Sequence, residues 1–138
     1  MAITRTASSV IAGAAVTFLL LTGCSAGQSK VEACLILKNA LTDISTVLTD
    51  NQAGLAGADS KAAASTIADG AEDFADETKK VTNAEVKPAA TEVATAVTAM
   101  AATFTDFAAD PENADPEGIQ AAGKDAGDKI AAIGTVCE

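Results

Sequence analysis

Between Val86 and Phe107 the apolar residues recur on a fixed beat: Val86, Ala90, Val93, Val97, Met100, Phe104 and Phe107 stand 4, 3, 4, 3, 4 and 3 residues apart. A helix of 3.6 residues per turn gathers such a set onto one face, whereas a strand, with its period of two, scatters it over both. The same beat marks two further segments. Cys34, Leu37, Leu41, Ile44 and Leu48 are spaced 3, 4, 3 and 4, and Ile119, Gly123, Ala126, Ile130, Ile133 and Cys137 are spaced 4, 3, 4, 3 and 4. A weaker stripe, Ala63, Ile67, Ala71, Phe74 and Val81, lies between them. No segment sustains strand alternation, so the chain is predicted to be all-α with four helices.

The ends of these segments carry their own chemistry. Ser29 and Glu32 have the spacing of a capping box, in which each side chain bonds the other residue's backbone N–H. The run from Asn51 to Gly57, with two glycines, is expected to end the first helix, and the second is expected over about Asp59 to Val81. Pro88 would cost a helix interior a hydrogen bond, so the third helix should start between Asn83 and Lys87 with the proline in its first turn. Asp115 followed by Pro116 is a start signal for the fourth. Four helices joined by short loops pack as antiparallel neighbours, which predicts an up-down-up-down four-helix bundle over residues 29–138.

The first residues follow different rules. Arg5 is the sole charge before Lys30, and the dense apolar run from Val10 to Thr22 is 13 residues long, against the roughly 20 that a bilayer-spanning helix needs. That pattern reads as a secretory signal peptide. Leu21-Thr22-Gly23-Cys24 resembles the lipobox of bacterial lipoproteins, in which a small residue precedes a cysteine whose thiol receives a diacylglyceryl group. The resemblance implies residues 1–23 as signal peptide, Cys24 as the lipidated first residue of the mature chain, residues 24–28 as a flexible spacer, and residence on the extracytoplasmic face of the cell membrane. The membrane would then be the first partner, held through acyl chains that each contribute about 0.8 kcal/mol per buried methylene. An uncleaved anchor helix starting near Thr6 is the competing reading, since Thr6 to Ser29 is free of charge. In length, lipobox and two-cysteine body the chain also resembles small helical lipoproteins of high-GC Gram-positive bacteria, a broad likeness that carries no functional residues.

Assigning Cys24 to lipid leaves Cys34 and Cys137 as an even pair outside the cytoplasm, where a disulfide is expected. The bundle topology agrees, because the start of helix 1 and the end of helix 4 share one end. Both cysteines fall on their helix's apolar stripe and should face inward. A bridge closing about 100 residues stabilises by roughly 4 to 5 kcal/mol on the chain-entropy model.

Composition excludes several functions. Setting Arg5 aside leaves eight lysines against nineteen acids, a balance opposed to nucleic acid as a partner and to a basic patch that grips anionic lipid. The chain has no histidine, which removes Cys/His zinc sites and the usual base of a nucleophilic serine or cysteine. No GxSxG, Walker loop, HExxH or dinucleotide fingerprint occurs, and the lack of Trp and Tyr removes the sugar-stacking platform of a glycosidase. No catalytic residues and no cofactor are expected.

Two clusters remain as candidates. Asp106, Asp110, Glu112 and Asp115, with Asp50, Asp59 and Glu117, collect at the end of the bundle away from the N-terminus. They are weak candidates for a divalent cation, with helix capping and solvation as the simpler account, so no metal is expected. Thr91, Thr95, Thr98 and Thr105 line the uncharged back of the third helix, where a surface helix usually carries charge. That face is a candidate docking surface for an envelope protein or a second copy, with an Ala- and Thr-rich composition as the simpler account. The sequence therefore favours a lipid-anchored, non-catalytic interaction module of the cell envelope. The alternative is a carrier of a small apolar ligand in a slot lined by Leu37, Leu41, Val97, Met100 and Phe104.

Overall fold

A computed structural model describes residues 27–138. The signal-peptide segment and Cys24 lie outside the described residues. Four helices follow in order: α1 (Lys30–Leu55), α2 (Ser60–Lys79), α3 (Lys87–Ala109) and α4 (Pro116–Cys137). The described residues contain no strand. Each helix runs antiparallel to the next, and the described residues form an all-helical four-helix bundle closed by a Cys34–Cys137 disulfide with 5.7 Å between the Cα atoms.

Local chemistry sets the boundaries. Ser29 Oγ accepts from Glu32 N at 3.2 Å and Glu32 Oε2 accepts from Ser29 N at 2.9 Å, completing the capping box of α1. Those hydrogen bonds hold the Glu32 carboxyl below the ordinary glutamate range. Asp115 Oδ1 accepts from Glu117 N at 3.0 Å and Pro116 opens α4. Pro88 sits in the first turn of α3, as expected, and Asn83 Oδ1 takes the N–H groups of Glu85 and Val86 just ahead of it.

α1 ends at Leu55, inside the Asn51–Gly57 run expected to end it. Asn51 Nδ2 turns back onto the Val47 carbonyl at 2.8 Å, and Gly54 lies so close to α2 that a Cβ there would stand 2.9 Å from Ala63 Cβ. The glycine at that point serves a close crossing rather than a helix end. One expectation changes at Gln28, the last residue of the segment read as a flexible spacer. Gln28 is fixed: its Oε1 accepts from Thr82 N at 2.8 Å, its Nε2 donates to the Lys80 carbonyl at 3.1 Å, and its own carbonyl accepts from Asn83 Nδ2 at 3.0 Å. The start of α1 is thereby latched to the α2–α3 loop.

The core sits among α1, α2 and α3. Ala33, Leu37, Ala40 and Ile44 of α1 meet Ile67, Ala71 and Phe74 of α2 and Val93, Ala94, Val97 and Ala101 of α3, with Val81 and Val86 closing the base. Leu37 and Ile44 are buried as predicted, while Ala33 and Ala40 take the core places expected of Cys34 and Leu41. Cys34, Leu41 and Leu48 lie on the shoulder of this line and are half-buried, and Cys137 is half-buried too, so the cysteines rim the core instead of facing fully inward. α4 packs lengthwise on α3 alone, does not reach α2, and touches α1 little. Only Ala126 and Ile133 of α4 are buried; Gly123 and Ile130, both counted in its stripe, are exposed.

Candidate functional site

Because α4 has one lengthwise neighbour, its seam with α1 is joined by the disulfide and otherwise left open. A groove of about 760 Å³ runs there, bordered on α1 by Val31, Leu35, Lys38 and Leu41 and on α4 by Ile130 and Gly134. Val31 is 79% exposed, Leu35 56% and Ile130 39%, and these three are the exposed large hydrophobic residues of the described chain. All three lie on this one seam. Scattered apolar residues on a surface need no explanation, but a contiguous set does.

The seam is also unusual in charge. In a chain of nineteen acids its lining holds none, and Lys38 is its one charged member. The reason is local: Val31, Leu35, Lys38 and Thr42 follow one another at helical spacing up α1, while the acids of that helix, Glu32, Asp43 and Asp50, point elsewhere. Across the groove Gly134 adjoins Ile130 in the lining, and a Cβ built on that glycine would meet nothing within 4 Å. On its other flank α4 is tied to α3 by Lys129 Nζ and Glu92 Oε2 at 2.9 Å, an exposed pair that raises the lysine's pKa through the hydrogen bond and charge of Glu92.

The residues singled out from sequence are placed as follows. Thr91, Thr95, Thr98 and Thr105 are all exposed on α3. The hydroxyls of Thr91, Thr95 and Thr105 donate to the carbonyls of Lys87, Thr91 and Ala101, at 2.9 to 3.0 Å, so the helix itself takes up their donors. Shallow clefts flank the row, one toward α2 and one toward α4. Asp106, Asp110, Glu112 and Asp115 are exposed; Asp110 binds Asn113 and Asp115 caps α4. Among the described residues no group of three or more acids or cysteines is arranged to hold a metal ion. The proposed ligand slot is divided: Leu37, Val97 and Met100 are buried in packed clusters, and Leu41 alone of the five borders the open groove.

Stripe reading missed the seam because it placed Ile130 in the core and left Val31 and Leu35 unassigned. A signal was present: an i, i+4 apolar pair on the back of α1, continued by Lys38 and Thr42 with no acid between them on that line. No protein-family model, no curated protein and no solved structure matches this chain.

Proposed function

We propose that this protein is a membrane-anchored, extracytoplasmic lipoprotein that works by contact rather than catalysis, as an interaction module of the cell envelope. The observation that carries the reading is the latched Gln28. It makes the folded domain begin four residues beyond Cys24, so a lipid on that cysteine would hold the base of the bundle close to the membrane. A tether of four residues spans at most about 14 Å. The disulfide supports an oxidising location outside the cytoplasm. The chain has no histidine, and among the described residues no carboxylate is buried for acid–base work.

The test is intact mass and fractionation of the full chain expressed in a Gram-positive host beside Cys24→Ser. Wild type should fractionate with membranes and begin at Cys24 carrying a diacylglyceryl mass, and the variant should lose both the mass and the cleavage. A mature chain that keeps residues 1–23, or that begins at an unmodified Cys24, would contradict the reading.

A further inference from the structure

We propose that the α1/α4 seam is a second membrane contact, with the bilayer that holds the N-terminus also covering Val31, Leu35 and Ile130. The inference rests on the reading that the residues just before Gly27 are held in the membrane, and it holds whether the hold is a lipid on Cys24 or an uncleaved apolar segment.

Three observations lead to it. The first is distance. With Gln28 fixed and at most about 14 Å of chain between it and Cys24, the base of the bundle cannot leave the membrane surface. Val31 stands in the first turn of α1 and Leu35 one turn above it, while Ile130 is seven residues from the end of α4, about 10 Å up at 1.5 Å per residue. The exposed large hydrophobic residues of the described chain are thus all on the seam and toward the anchored end, where a bilayer is within reach.

The second observation is charge. An acidic protein is repelled by an anionic leaflet except where it presents a face without acids, and the seam is such a face, with Lys38 as its one charge. Lys30 stands at the base beside Val31, where Glu32 and Glu138 also lie, outside the groove lining, whereas Asp59, Asp110, Glu112 and Asp115 lie at the opposite end. A tilt that lays the seam on the bilayer turns the acids of that far end away from it. A second copy of the chain is the poorer occupant, since two such seams bring no opposite charges together and both copies carry a net charge of −10.

The third is shape. Gly134 leaves the groove wall without a side chain beside Ile130, and nothing inside the fold requires glycine there. A helix-interior glycine lowers stability relative to alanine, and its bare backbone leaves room for a lipid surface to approach this face.

The chain contains no Trp or Tyr, which makes a single introduced tryptophan an unambiguous reporter. Leu35→Trp and Val31→Trp, with Thr98→Trp on α3 as the control, would each be made in the full-length, natively processed protein. Each would then be reconstituted into vesicles of phosphatidylethanolamine and phosphatidylglycerol, with and without brominated acyl chains. The proposal expects blue-shifted emission that bromine quenches at positions 35 and 31, and red-shifted, unquenched emission at 98. Protein that floats with the vesicles yet shows unquenched emission at both seam positions overturns the second contact while leaving the anchor intact. Blue-shifted but unquenched emission overturns it too and gives the seam to a protein partner or a second copy. Failure to float with the vesicles overturns the anchor and the seam together.

Discussion

α2 and α4 are helices of 20 and 22 residues, both antiparallel to α3 and both striped with apolar residues at helical spacing. They end up differently. α2 lies between α1 and α3 and buries Ala63, Ala64, Ile67, Ala71, Phe74 and Thr78, whereas α4 has α3 alone along its length and buries Ala126 and Ile133. Periodicity says which face of a helix can be covered; the number of neighbours decides how much of that face is. Glycine makes the same point. Gly70 of α2 faces α1 so closely that a Cβ would stand 2.9 Å from Val47 Cγ1 and 3.3 Å from Ile44 Cδ1, while Gly123, Gly127 and Gly134 of α4 face open space. One glycine is required by packing inside the fold, and three are not.

The largest expected difference comes from one substitution made in both helices. Ile67→Ala removes a side chain that is 1% exposed and should destabilise the protein by about 2 to 5 kcal/mol through lost burial and a residual cavity. Ile130→Ala removes one that is 39% exposed and should cost less than about 1 kcal/mol. Urea midpoints of the two variants test this, and equal losses would mean that α4 is packed as tightly as α2. A smaller effect, opposite in sign between the helices, is expected at glycine. Gly70→Ala should destabilise by about 1 to 3 kcal/mol because the methyl must displace the branched Val47 side chain. Gly127→Ala, where a Cβ meets nothing, should stabilise by about 0.5 to 1 kcal/mol. Matching signs in thermal melts would break the contrast.

Much of the fold was legible because it is written locally. The Ser29–Glu32 box, the Asp115-Pro116 start and Pro88 in a first turn are interactions within a few residues, and the α3 line from Val86 to Met100 is buried as its spacing predicts. The disulfide was legible through parity and topology together. What sequence could not show was which pairs of helices meet. Cys34 and Leu41 were read as core when the core line of α1 runs through Ala33, Leu37, Ala40 and Ile44, because alanine at a close crossing is as good a core residue as leucine at a wide one. The latch of Gln28 onto residues 80–83 joins positions more than fifty residues apart and has no local mark. The seam escaped for a related reason: whether Ile130 is core or surface depends on how closely α1 approaches α4, and that distance has no signature in either helix.

The open seam has a mechanical consequence on which the whole account turns. With α4 held by one lengthwise neighbour and by a bridge that closes a separation of 103 residues, the disulfide should contribute most to α4. Amide hydrogen exchange resolved by peptide mass spectrometry, on the oxidised and the reduced protein, measures this directly. Oxidised protein should show less protection over Pro116–Cys137 than over Ser60–Lys79, and reduction should strip protection from α4 first while α1, α2 and α3 retain most of theirs. Equal protection of α2 and α4 in the oxidised protein, or simultaneous loss across all four helices on reduction, would contradict the open seam.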